Sequence, residues 1–328
     1  MMTCDLCPRH CSIGPGQAGF CFVRQNRNDQ LVLAAYGRTG GLAIDPIEKK
    51  PLYHFYPGSK VLSFGTIGCN LGCTFCQNWS TSKSRDIQLL RQEATPRQIA
   101  ELAVKHDCLS VAFTYNEPIV WAEYAVDTAM ECHIRGVKTV CVSAGHISPE
   151  KWDWFFKPMD AANIDLKAFS ERFYREKCGV SLEPIKETLK YIAKKTNVWL
   201  EITTLLIPGE NDSDEELTAM CHWIRKELGA EIPLHFSAFH PAYKENGIPP
   251  TPPQTLFHAR NIAQECGLCH VYTGNIHDPT GQSTYCPQCK QTVVFRTGYN
   301  ADSSAIDEEG CCKFCGQSIA GCWPEQAS

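Results

Sequence analysis

Between Val61 and Thr273 the chain alternates short apolar runs with helical segments, and no other feature restricts its fold so sharply. The runs VLSF (61–64), SVAFT (110–114), KTVCVS (138–143), AANID (161–165), VWLEITTLL (198–206), PLHFSAF (233–239) and CHVYT (269–273) have the length and side chains of buried strands. Helix signals separate them. TPRQIAELAVKH (95–106) offers Thr95 as N-cap, Pro96 at the first helical position and Gln98 to complete a capping box. Further helices are expected over 118–135, stopped by Gly136, and over 149–156, 183–195, 214–228 and 253–265. Strands joined by single helices imply parallel pairing through right-handed crossovers. Six or seven such units in a row imply an α/β fold, a partial (β/α)6 TIM-type barrel, with the chemistry at the C-terminal strand ends. A doubly wound open sheet is the competing architecture, but no G-x-G-x-x-G follows the first strand. Residues 60–280 are therefore read as the barrel, 1–59 as a cysteine-rich N-terminal segment and 281–328 as a zinc-ribbon-like extension.

A chain of 328 residues can bury a core without cross-links. Its 31 basic and 36 acidic residues give a net charge of -5, so no global positive field exists to hold nucleic acid. No apolar stretch reaches the roughly 20 residues of a membrane span, and the opening MMTCDLCPRHC lacks the apolar core of a signal peptide. These features lead us to expect a cytoplasmic protein, where 20 cysteines would stay reduced and serve as metal or cluster ligands rather than disulfides. They fall into three sets: Cys4, Cys7, Cys11 and Cys21; Cys69, Cys73 and Cys76; and Cys286, Cys289, Cys311, Cys312 and Cys315. The other eight (Cys108, Cys132, Cys141, Cys178, Cys221, Cys266, Cys269 and Cys322) mostly lie in apolar patterns and read as small buried hydrophobes.

The middle set lies in FGTIGCNLGCTFCQNW (64–79), directly after the first strand. Gly65, Gly68 and Gly72 are expected to give its backbone room around a bulky ligand, and Phe75 to shield that ligand from water. A structural zinc wants four ligands in a closed tetrahedron, and these three would need a distant fourth. A 4Fe-4S cubane held by three cysteines keeps one iron open for a small molecule. Here the sequence resembles the radical S-adenosylmethionine (SAM) superfamily, whose CxxxCxxC loop binds such a cluster. In it the open iron chelates the amino and carboxylate groups of SAM.

The resemblance runs over about residues 45–280. CNLGCTFCQN is similar to the loop of the pyruvate formate-lyase activating enzyme-like branch, with Gln77 and Asn78 in place of its usual His-Asn pair. FTYNEP (113–118), SAGHIS (143–148), IDLKAF (164–169) and LLIPGEND (205–212) follow in that branch's order. DPIEKKPLYHFYPG (45–58) and the cysteine-rich tail resemble the AmmeMemoRadiSam system radical enzymes. The resemblance implies reductive cleavage of SAM to a 5′-deoxyadenosyl radical that takes hydrogen from a small-molecule or protein substrate. It also implies a reductant such as flavodoxin or ferredoxin, and Memo-like and AMMECR-like partners. Activation of a glycyl-radical enzyme is an alternative, as is a non-catalytic iron–sulfur or zinc protein for electron transfer or interaction.

By the same resemblance Glu117 would hold the methionyl ammonium of SAM; by position alone it is a carboxylate at a helix N-terminus, before Pro118. Ser143 and Gly145 read as backbone approaches to ribose or adenine, or as an ordinary turn. Asp165 and Lys167, two residues apart, share a face as site residues or as a buried ion pair. His240, with His146 and His54, reads as a cofactor or substrate contact or as a hydrogen-bonded core residue. Cys286, Cys289, Cys312 and Cys315 have zinc-ribbon spacing, with Cys311 as the alternative to Cys312. Three basic and five acidic residues in 281–328 make that ribbon a poor grip for phosphates. Cys4, Cys7, Cys11 and Cys21 suit either zinc or an auxiliary 4Fe-4S cluster.

Overall fold

The computed structural model describes residues 1–323; the last five residues of the expected 281–328 extension lie outside them. An eight-stranded sheet dominates the chain. We number its strands β1 (Gly41–Pro46), β2 (Lys60–Gly65), β3 (Ser110–Phe113), β4 (Lys138–Ser143), β5 (Ala161–Asp165), β6 (Trp199–Leu206), β7 (Leu234–Ala238) and β8 (Val271–Gly274). Each strand pairs with the next in sequence, so the spatial order is β1 to β8 without a reversal. Strands β2 to β8 run parallel, and β1 is antiparallel to β2. A doubly wound sheet would reverse its order in the middle, and this one does not. Its outer strands β1 and β8 are not hydrogen-bonded to each other, so it is an open parallel-dominated sheet and not a closed barrel.

The crossovers carry α1 (Pro96–Lys105), α2 (Ala122–Ile134), α3 (Trp152–Phe156), α4 (Glu183–Lys195), α5 (Asp214–Glu227) and α6 (Pro253–Glu265). The expected capping box forms: Thr95 Oγ1 accepts from the Gln98 N–H, and Gln98 Oε1 accepts from the Thr95 N–H. Two expected α-helices begin as 3-10 turns, Pro118–Trp121 and Pro149–Lys151, before continuing as α2 and α3. Strand β1 has no counterpart in the sequence reading: GLAIDP alternates only weakly, and its tertiary pairing with β2 makes it a strand.

Residues 47–58 fold under the N-terminal strand ends. Ile47, Leu52 and Phe55 pack there against Val61, Ala112, Val140 and Ala161 of β2 to β5 in a buried cluster. The extension adds a small three-stranded sheet, Thr284–Tyr285, Thr292–Thr297 and Asn300–Asp302. Among the described residues no helix is long and apolar enough to cross a membrane, and all 20 cysteines are free thiols.

Candidate functional site

At the C-terminal ends of β2 to β7 a cavity of about 240 Å³ opens, lined by Cys69, Cys73, Cys76, Glu117, Ser143, Asp165 and Lys167. Strand β2 delivers the loop, and hydrogen bonds then shape it. Asn116 Oδ1 accepts from the Thr66 N–H at 2.9 Å while its Nδ2 donates to the Gly68 carbonyl at 2.9 Å. Lys83 Nζ donates to the Leu71 carbonyl at 2.5 Å, and the Leu71 N–H donates to Cys69 Sγ at 3.3 Å. Phe75, 3% exposed, lines the cavity and packs on Phe173 with ring centroids 5.6 Å apart. The loop glycines serve neighbouring backbone more than a ligand. A Cβ at Gly68 would stand 2.2 Å from the Cys21 carbonyl oxygen, and one at Gly72 3.3 Å from that of Cys178.

Cys178 has a role that its reading as a small buried hydrophobe did not suggest. It ends a π-helical turn, Tyr174–Cys178, closed by Gly179 in the left-handed region. That turn clamps the loop: the Gly72 N–H donates to the Cys178 carbonyl at 2.6 Å and the Thr74 N–H to the Lys177 carbonyl at 2.9 Å. The Cys178 thiol hydrogen-bonds Cys73 and draws it down to about 7, against burial and with help from Lys167 and Lys83. Burial pushes the thiols of Cys69 and Cys76 up. Cys178 does not itself line the cavity, so three thiols face it. A lone cysteine inside a helical pattern carries no signal of such a contact.

Glu117 is the carboxylate at a helix N-terminus that its position implied, and it also faces the cavity. Its carboxylate caps the following turn, accepting from the Ile119 N–H at 3.2 Å, from Ser143 Oγ at 2.6 Å and from the Ala144 N–H at 2.8 Å. It is 4% exposed and also lines the cavity; burial pushes its carboxyl up, against the pull of these donors. Ser143 thus both lines the cavity and holds Glu117 in place. Asp165 and Lys167 form an ion pair at 2.8 Å on the cavity wall. Burial acts to lower the Lys167 ammonium, but Asp165 and Cys73 outweigh it and hold it well above its ordinary value.

Two expected residues fall elsewhere. Gly145 does not line the cavity: with φ +69° it turns the chain toward α4, where a Cβ would meet Ile164 Cγ2 at 3.1 Å and Thr188 Cγ2 at 3.6 Å. His240 is exposed and outside the cavity lining. Ser237 of β7 lines the cavity, whereas His240 lies beyond the strand's last residue, Ala238. His146 is buried with Nδ1 unpartnered, and His54 sits at the other end of the sheet.

The two flanking sets differ in geometry. The sulfurs of Cys286, Cys289, Cys312 and Cys315 all lie within 4.8 Å of one another, with Cys286–Cys315 at 3.6 Å and Cys289–Cys312 at 3.7 Å. Zinc–sulfur bonds of about 2.3 Å give tetrahedral edges of roughly 3.8 Å, so this set is spaced for one ion. Cys311 is not among the four, and its thiol points to the Glu309 carbonyl. Cys4, Cys7, Cys11 and Cys21 instead surround a second, enclosed cavity beside Asn70.

Comparison with known proteins matches residues 64–221 to the radical SAM superfamily. The uncharacterized protein MJ0808 of Methanocaldococcus jannaschii is 44% identical over 319 residues, 97% of this chain and 95% of its own length. The 4-hydroxyphenylacetate decarboxylase activating enzyme of Clostridioides difficile is 26% identical over 171 residues, 49% of this chain and 54% of that enzyme. Among solved structures, a radical SAM methyltransferase from Sphaerobacter thermophilus shares the fold, with a TM-score of 0.53, 14% identity and 67% of each chain covered. Three thiols facing one cavity at the end of the first parallel strand, within a matched span that begins at Phe64, agree with these likenesses: residues 64–221 carry a radical SAM superfamily domain.

Proposed function

We propose that Cys69, Cys73 and Cys76 hold a 4Fe-4S cluster that cleaves SAM, and that the resulting radical takes hydrogen from a substrate bound alongside. The observation that carries this reading is the convergence of three thiols, and no fourth, on one cavity with Glu117, Asp165 and Lys167. That donor set fits the cofactor pair: three thiolates for three irons, a carboxylate for an ammonium, and a lysine for a carboxylate or ribose. When bound, cluster and SAM supply one electron and a 5′-deoxyadenosyl radical. The chain's own residues bind and orient. Cys178 shifts Cys73 toward its thiolate form, Glu117 is held rigid by three donors, and Phe75 excludes water.

A second cavity of about 560 Å³ adjoins the first, sharing Gln77, Thr203 and Ser237, and takes Lys49, His277 and Tyr299 into its wall. Its size is that of a small-molecule site. Tyr299 comes from the extension, so the extension walls this chamber, and we assign a small-molecule substrate to it. The likeness to a C. difficile activating enzyme favours a second reading, in which a protein loop enters instead. The Cys286–Cys315 set is assigned to structural zinc, and the compartment to a reducing cytoplasm. An AmmeMemoRadiSam-type enzyme, with Memo-like and AMMECR-like partners, is the reading that the motif resemblance over 45–58 and the tail supports.

The test is anaerobic reconstitution followed by dithionite and SAM. Methionine and 5′-deoxyadenosine should form with the native protein and not with a Cys73→Ser variant. No product above an enzyme-free control defeats the reading and leaves an electron-transfer or interaction role.

A further inference from the structure

The N-terminal cysteines are arranged for something larger than one ion. Strands Met2–Thr3 and Ser12–Ile13 pair antiparallel, and the Cys4 N–H donates to the Cys11 carbonyl at 2.9 Å, so the first three cysteines stand on one hairpin. Cys21 closes the ring from the following turn. All four line one cavity, whose remaining wall is mostly apolar, including Leu6, Ile13, Phe20 and Val120. The contrast with the C-terminal set is direct. There four sulfurs meet within 4.8 Å; among the described residues no three of the N-terminal sulfurs come together at that spacing.

Thiols that ring a small apolar cavity of about 20 Å³, rather than converge on a point, suit a compact multinuclear group more than a single ion. A cubane has that form, with an iron behind each of four thiolates and inorganic sulfide between them. A single zinc draws its four sulfurs onto one centre. Charge agrees with an anionic occupant: Arg9 lines the same cavity and has no carboxylate partner among the described residues, its Nη2 donating to the Gly179 carbonyl at 2.7 Å. The two sites touch. Asn70, which follows Cys69, lines the N-terminal cavity, and Gly68 meets the Cys21 carbonyl.

We infer that Cys4, Cys7, Cys11 and Cys21 hold a second 4Fe-4S cluster, with every iron ligated by protein, one residue removed from the three-cysteine loop. Such a cluster has no vacant iron, so its chemistry is one-electron exchange and not substrate binding. The assignment does not depend on the reading of the loop.

Iron, sulfide and zinc analysis with Mössbauer spectroscopy on anaerobically reconstituted full-length protein tests it. The native chain should carry about eight iron and eight sulfide, and a Cys69→Ala/Cys73→Ala/Cys76→Ala variant should keep about four of each with cubane parameters. A Cys7→Ala/Cys11→Ala variant should also keep about four, with zinc unchanged at about one per chain. Should the triple variant hold no iron and about two zinc, the inference is overturned and the N-terminal site is a zinc site. The triple variant leaves the N-terminal hairpin untouched, so it decides the matter even if the double variant fails to fold. Loss of SAM cleavage with eight iron retained would count against the loop's function alone.

Discussion

The two ends of the central sheet are both rich in buried polar groups, yet they treat them in opposite ways. At the N-terminal end Glu201 of β6, fully buried, accepts from the Tyr53 N–H (3.0 Å), the His54 N–H (2.8 Å), Trp199 Nε1 (3.0 Å) and His235 Nε2 (2.6 Å). Arg296 of the extension joins the same knot, donating to the carbonyls of Tyr53 and Gln282 and to Thr284 Oγ1. Most of these groups are paired inside the protein, although Arg296 Nε, Glu48 Oε2, Gln282 Oε1 and His270 Nε2 are buried without a hydrogen bond. At the C-terminal end three thiols and an ion pair face open volume instead. One end spends its polarity on locking the fold and the other keeps it for a guest, which is the division expected of strand-end chemistry in parallel α/β proteins.

The comparison breaks if removing Glu201 is harmless. Glu201→Ala strands four donors, three of them buried, and we expect a loss of about 3–5 kcal/mol, read as a collapse of the denaturant midpoint. Next is pH. Burial holds His270, at the locked end, and His146, at the open end, down to about 4. Above the ordinary value near 6.5 neither state binds the proton; between 6.5 and 4 the unfolded chain binds it first, so stability falls by up to about 3 kcal/mol per histidine. His270→Gln should reduce the slope of stability against pH by one proton, and an unchanged slope would contradict the burial argument. Glu117→Gln opposes an amide to the Ala144 N–H and should raise the SAM requirement about tenfold, roughly 1.4 kcal/mol, with a smaller loss of stability than Glu201→Ala. The smallest effect is that of Cys178→Ala. Iron content should hold while the loop cluster's potential falls by something on the order of tens of millivolts, measured by redox titration monitored by electron paramagnetic resonance.

Most of the parallel core was legible because each strand carries its own apolar signal and each helix its own start. AANID and the helix over 183–195 fall where their residues place them. Strand β1 was not, since its weakly alternating residues become a strand only by pairing with β2. At the site, the three-cysteine loop, Glu117, Asp165 and Lys167 could be read from motif order, and the cavity gathers them. His240 and Gly145 do not line that cavity, because a position after a strand says little about which way the chain then turns. Cys178 was missed for the opposite reason: its contact with Cys73 spans 105 positions and leaves no periodic trace.

Strand order has a further consequence, for how the molecule is made. Every rung of the sheet joins neighbours in sequence, whereas the knot below closes only when His54 Nδ1 reaches the Ala320 carbonyl, 266 positions away, at 2.6 Å. Contacts so distant pay a loop-closure entropy that adjacent strands avoid. Refolding should therefore show a fast phase that builds the ladder and a slow one that seals its base, and clipping the chain ahead of residue 320 should weaken the second alone.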